Sequence, residues 1–229
     1  QVNQSCFWRD LYLPSNTIQA VGWGGINPTK EFGDALIAND GINSFRRKAW
    51  ILTYDDLILN MPYANDATMD TDAKKMADKS RGINSKTGEF GNAGYWSYKR
   101  VPLKSDLIAN NSYRTQENDV VMRYAEVLLL YAEACAWSTD DEGKGLAALQ
   151  KVQRRAGSNH VSTALSKDEV KNEKRFELYL EGSRFFDLVR WGDAATVLAN
   201  NGKSVPTAYD KINDGGATHE LEIKWSSYN

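Results

Sequence analysis

Two sets of residues in this 229-residue chain have the types and spacing to do chemistry. The first is acidic. Glu177 and Glu181 stand four apart in EKRFELYLEG, on one face of the stretch if it is helical, and paired carboxylates are the machinery of glycoside hydrolysis. The second is aromatic: Trp8, Trp23, Trp50 and Trp96, with Tyr95 and Tyr98, outside the helix-periodic part of the chain. Ring faces stack on the C–H faces of sugars, and nearby amides, carboxylates and guanidinium groups bind sugar hydroxyls. Other combinations fall short. Asp66, Asp70 and Asp72, with Asp78 beyond, lack the spacing, glycine and closing Glu of a helix–loop–helix calcium site, and read as a solvated acidic loop. His160 and His219 are far apart, which leaves no transition-metal cluster and no Ser/His/Asp order. A glycine-rich phosphate loop is also missing. No cofactor or metal is expected.

Context separates the two sets. Arg175, Arg184, Asp187 and Arg190 surround Glu177 and Glu181, interleaved with Phe176, Leu178, Leu180, Phe185, Phe186 and Leu188. That mixture predicts partly buried ion pairs that lock two helices together, in preference to an acid–base pair. Among the aromatics, Gly22, Gly24 and Gly25 flank Trp23, while Gly91 and Gly94 precede Tyr95-Trp96-Ser97-Tyr98, so both clusters are expected on turns. A given loop tryptophan is more often a plug over the core than a ligand platform. Trp23 and Trp96 rank first as sugar platforms, then Trp8 and Trp50, with Tyr95 and Tyr98 behind them. Trp137 and Trp191 sit at helix ends, where packing is their natural use.

These residues must be positioned by helices. From Val120, DVVMRYAEVLLLYAEACAW places Val120, Val121, Tyr124, Val127, Leu128, Tyr131, Ala134 and Cys135 at steps of three and four, which predicts an amphipathic helix with that apolar face. A second helix is expected through GLAALQKVQRRAG, with Leu146, Leu149, Val152 and Ala156 inward and Gly157 as its stop. The third opens with a capping box, Ser166 and Glu169, and runs to Gly182. Ser183 then caps a fourth, in which Arg184, Asp187 and Arg190 pair in sequence. Upstream, a short helix from Lys30 to Ala38 closes at Asn39-Asp-Gly41. Ser5–Leu13 and AWILTY read as extended, and Asn60–Asn118 has no sustained period, the character of a long binding loop. The resulting division is a loop-rich segment over 1–118 as the candidate ligand-binding region, a helical core over 119–202 and a polar tail over 203–229.

RYAEVLLLYAEA, VQRRAG and EKRFELYLEGSRFFDLVRWG, in that order, resemble the C-terminal region of the RagB/SusD family, glycan-binding lipoproteins of the outer-membrane surface in Bacteroidetes. GGINPTKEFGDALIANDG resembles the family's Pro-Thr, short helix and Asp-Gly block, so the likeness covers residues 24–200. Where the family usually has an Asp-Pro-Arg-like step, this chain reads Phe45-Arg46-Arg47. The resemblance implies a mainly α, SusD-like fold of helical-repeat (TPR-like) helix pairs with long irregular aromatic-bearing loops. It also implies non-catalytic capture of an oligosaccharide or polysaccharide and its delivery to a partner TonB-dependent, SusC-like transporter, with a lipid anchor in the full-length protein. Cys6 has no hydrophobic segment before it and is not expected to be a lipidation site. The family's N-terminal repeats and Asn-Pro-Gly-Tyr-like ending are not found, and a piece of a longer chain is expected.

Bulk properties fit this reading. A formal net charge of −2 with mixed signs gives no basic track for nucleic acid or for an anionic membrane. No apolar run approaches the ~18 residues of a membrane-spanning helix. Cys135 lies on the apolar face of its helix and is expected as a buried free thiol; Cys6 is the only other cysteine. Two alternatives remain open: a helical-repeat protein-interaction module without its own glycan site, and a glycoside hydrolase using Glu177 and Glu181.

Overall fold

A computed structural model describes residues 27–53, 56, 95–101, 107–108, 111–115, 120–199, 204–210 and 221–227. Trp8, Trp23, Cys6, the 66–78 aspartates, His219 and the Ser5–Leu13 run lie outside them. The chain divides into two compact units, one made of Asp34–Trp50 with Asn118–Ala199 and the other of the remainder. Among the described residues the architecture is mainly helical, and no helix is long and apolar enough to cross a membrane.

Helix α1 spans Lys30–Asp40. Thr29 Oγ1 accepts from the Phe32 amide at 3.2 Å, and Gly41 at φ 89° ends the helix in a conformation that suits glycine. After a four-residue turn, Gly41 to Ser44, α2 spans Phe45–Trp50 and leads directly into β1, Ile51–Thr53. Asp34–Trp50, grouped from sequence with the loop-rich segment, therefore belongs with the helices.

The helical unit is built on α3 (Tyr124–Ser138), α4 (Glu142–Ala156) and α5 (Lys167–Glu177), followed by α6 (Arg184–Trp191) and α7 (Ala194–Val197). The core joins Ala125, Leu129 and Ala132 of α3 to Ala148, Leu149 and Val152 of α4, with Val170 of α5 and Leu178. Alanines at 125, 132 and 148 let the helices approach, and each fully buried Leu contributes about 2 kcal/mol of transfer free energy. Cys135 is buried as a free thiol.

The face that α3 buries differs from the expected one. Tyr124, Val127 and Tyr131 are exposed, as are Val120 and Val121 ahead of the helix, while Ala125, Leu129, Ala132, Glu133 and Cys135 are buried. Helix α3 is apolar around most of its girth, so periodicity alone could not select the face; small side chains facing α4 and α5 did. The helix also starts at Tyr124, because Arg123 is extended, with φ −131° and ψ 161°.

The third helix stops at Glu177, short of Gly182, and Leu180 at φ 60° turns the chain. Ser166 Oγ accepts from the Glu169 amide at 3.2 Å. The Glu169 carboxylate does not return to close the capping box; it binds Ser162 Oγ and His160 Nε2, both at 2.7 Å. Ser183 is helical at φ −77° and ψ −27°, outside the extended geometry an N-cap needs, and caps nothing.

Three antiparallel strand pairs complete the described residues. In the first, β1 pairs with β2 (Tyr95–Ser97), setting Leu52 opposite Trp96. β3 (Leu107–Ile108) pairs with β4 (Asn111–Thr115). β5 (Ser204–Asp210) pairs with β6 (Leu221–Ser227), where the sequence reads as a polar tail.

Candidate functional site

The aromatic candidates that the structure describes do not share an exposed platform. Trp96, expected on a turn, is on β2 and 0% exposed, so its ring fills the core beside Leu52 and is closed to a ligand. Tyr95 is half-buried, with its ring packed on Gly33: a Cβ there would lie 2.3 Å from the tyrosine ring. Tyr98 is also half-buried, and its carbonyl accepts from the Val101 amide at 2.9 Å. Trp50 at the end of α2 donates its indole N–H to the Phe176 carbonyl at 3.1 Å, and the Arg123 guanidinium lies 5.8 Å from its ring centroid.

The charged candidates form two clusters inside the helical unit. In the first, Arg46 grips Asp40 with both arms, Nε to Oδ2 and Nη2 to Oδ1, each at 2.7 Å. Its remaining nitrogen reaches Glu173, and Glu177 Oε2 at 3.1 Å. Glu177 Oε1 accepts from Arg123 and Arg155, both at 2.5 Å. Arg123 also holds Glu181 through Nε at 2.8 Å and Nη2 at 2.7 Å. This placement follows from the local fold: α1 and α2 deliver Asp40 and Arg46, and the last turn of α5 delivers Glu173 and Glu177.

Burial works against the charge of Arg46, but the carboxylates around it more than compensate and raise its pKa. Arg123 is raised in the same way. Burial pushes the Glu173 carboxyl up; Arg46 opposes that shift, while the neighbouring Glu177 and Asp40 charges add to it.

The second cluster ties α3, α5 and α6. Glu133 accepts from Lys174 at 2.9 Å, from Arg190 at 3.0 Å through Oε2 and from the Trp191 indole at 2.6 Å. Lys174 and Arg190 both bind Asp187 Oδ1 at 2.8 Å. Burial would raise the Glu133 pKa, but the hydrogen bonds from Arg190, Trp191 and Lys174 outweigh it and bring the group down to about 2.

The Arg184–Asp187–Arg190 ladder is therefore only half formed. Asp187 turns to Lys174 and Arg190, and Arg184 Nη1 is buried without a hydrogen bond among the described residues. Burial, with the like charge of Arg175, lowers the Arg184 pKa. Arg184 and Arg175 lie 5.8 Å from the ring centroids of Trp191 and Phe176.

Glu177 is fully buried and bound by three arginines, so an acid–base pair with Glu181 has no access to water or a glycosidic bond. From sequence, no ion pair is assigned to Asp40, Arg46, Glu133, Glu173 or Lys174. Their signal was charge at core positions: Glu133 falls one after Ala132 and four after Leu129, and Lys174 falls four after Val170.

The geometry thus defines a helical scaffold cross-tied by buried ion clusters. The model of the SusD family matches residues 3–224. This chain belongs to the SusD family. A SusD-like protein of Bacteroides ovatus is 38% identical over 76 residues, which cover 32% of this chain and 14% of that protein. SusD-like protein P2 of Formosa agariphila is 31% identical over 119 residues, covering 47% and 24%. Among solved structures, a laminarin-binding SusD-like protein is 25% identical with a TM-score of 0.58, covering 85% of this chain and 38% of that one. A surface glycan-binding protein A from Bacteroides fluxus shares the fold at a TM-score of 0.61 and 22% identity, covering 96% and 45%. The chain spans less than half the length of these relatives.

Proposed function

We propose that this chain belongs to a surface protein that captures an oligosaccharide by aromatic stacking and hydroxyl contacts, without chemistry on the sugar. In this reading it passes the ligand to a TonB-dependent, SusC-like transporter in the outer membrane, where the full-length protein is lipid-anchored. Family membership over residues 3–224, with a laminarin-binding relative at 25% identity, carries the reading. Trp23 and Trp8 are the proposed platform residues, since Trp96 is sealed in the core and Trp50 is held by Phe176 and Arg123.

Tryptophan fluorescence titrated with laminarin oligosaccharides and a panel of other neutral and acidic glycans tests it. A saturable response to one glycan class, lost in Trp23→Ala or Trp8→Ala with unchanged melting, is the expected result. A flat response with every glycan would remove the tryptophan platform from this chain.

A second reading, a module that docks a partner's amphipathic helix, draws on the exposed Tyr124, Val127 and Tyr131 of α3 and Phe185, Phe186 and Val189 of α6. It predicts self-association or peptide capture that Tyr131→Lys abolishes, with no glycan response.

A further inference from the structure

The turn between α1 and α2 faces the loop that follows α4 across an open cleft of about 320 Å³. Both walls are fixed from within. Arg47, almost fully buried, donates from Nε to the Ile42 carbonyl at 2.6 Å. Ser44 Oγ accepts from the Arg47 amide at 3.1 Å, and the Ser44 amide bonds the Gly41 carbonyl at 3.2 Å. On the other side, the amides of Asn159 and His160 bond the carbonyls of Asp40 and Asn39, both at 3.1 Å. These bonds fix the backbone of both walls, while the Asn43, Phe45 and Asn159 side chains are exposed.

Its lining has a specific chemical character. Phe45 is 76% exposed and stands beside Gly157 so closely that a Cβ there would lie 2.8 Å from its ring. The side-chain amides of Asn43 and Asn159 have no hydrogen bond among the described residues, and the Asn159 amide lies over Gly41. Asp40, the charged residue of the lining, is held by Arg46 and by the Asn39 side-chain amide. One apolar ring face, two amides and no available charge match a neutral polar ring with C–H faces and hydroxyls. The volume is at the small end for ligand pockets, suited to one ring instead of a chain.

We propose that Phe45, Asn43 and Asn159 form a subsite for a single neutral sugar residue on the helical unit. Phe45 stacks on the pyranose face, and the two amides donate to and accept from its hydroxyls. This assignment rests on the glycan-binding reading above.

The test records side-chain amide NMR signals of Asn43 and Asn159 in the full chain during titration with glucose, galactose, mannose, xylose and glucuronate, with glycerol as a polyol control. Saturable shifts with at least one neutral sugar and none with glycerol are expected. Phe45→Ala should weaken that binding by about tenfold while Phe45→Tyr retains it, as loss and retention of a stacking face predict. Absent shifts, equal shifts with glycerol, or unchanged affinity in Phe45→Ala overturn the subsite. If the tryptophan fluorescence responds to a glycan while these amides stay silent, the subsite is wrong and glycan capture stands. Amide shifts without any fluorescence response support the subsite and remove the tryptophan platform.

Discussion

Glu133 on α3 accepts a hydrogen bond from the Trp191 indole at the end of α6, 2.6 Å away and 58 residues along the chain. The same carboxylate binds Lys174 and Arg190, so one acidic side chain joins three helices. Glu133→Ala leaves Lys174 nearly buried with one carboxylate fewer, and should cost about 3 kcal/mol by urea unfolding. Because its pKa is depressed to about 2, the stability it contributes is present above the ordinary carboxylate value near 4.5 and is lost as pH falls toward 2. Glu133→Gln should flatten the unfolding curve in that window; an unchanged acid limb would contradict the assignment.

Arg46 offers a second test. Arg46→Ala takes the guanidinium from Asp40 and Glu173 and leaves Glu177 with two of its three arginines, and should destabilise the helical unit by about 3–5 kcal/mol. The raised Glu173 carboxyl has the opposite pH sign to Glu133: the folded state takes up this proton first, so Glu173 favours folding as pH falls through its raised pKa. Glu173→Gln should improve stability at neutral pH relative to the acidic range in the Arg46→Ala background. Arg46→Lys should not restore the wild-type melting point, since an ammonium cannot present a fork to three carboxylates.

Trp96 and Trp23 should separate by phenotype. Trp96→Ala removes a ring that is 0% exposed and should cost about 3–5 kcal/mol, read as a lower melting temperature. Trp23→Ala should leave melting unchanged and abolish the glycan-dependent fluorescence change. Trp96→Ala with wild-type melting and lost glycan response would reverse both assignments.

Ser166→Ala removes the one side-chain cap of α5 and should cost about 1 kcal/mol. Ser183→Ala should cost far less, because its hydroxyl caps nothing. Parallel denaturation of the two variants distinguishes a capping serine from one that merely precedes a helix.

Much of the helical framework was legible because local chemistry marks its ends. Gly41 and Gly157 stop α1 and α4 at positive φ, and Ser166 starts α5. What was not legible depends on partners distant in sequence. The buried face of α3 is set by α4 and α5, not by its own near-uniform apolarity. Trp96 became a core residue because β2 pairs with β1, and nothing in its Gly-rich neighbourhood announced that pairing. The Arg184 rung of the fourth-helix ladder failed because Lys174, 13 residues before Asp187, and Arg190 claim that carboxylate. Charged residues on a core-facing stripe, Glu133 and Lys174 above all, were the available warning.

Arg46 meets Glu173 and Glu177 across 127 and 131 residues of chain. Closing loops of that length costs chain entropy before any ion pair can repay it, and a guanidinium in water gains little from a lone carboxylate. The first cluster therefore forms late, once α1 and α2, carrying Asp40 and Arg46, have docked against the end of α5 that carries Glu173 and Glu177. Weakening it should accelerate unfolding far more than it slows folding, so Arg46 governs how long the native state lasts rather than how quickly it is reached.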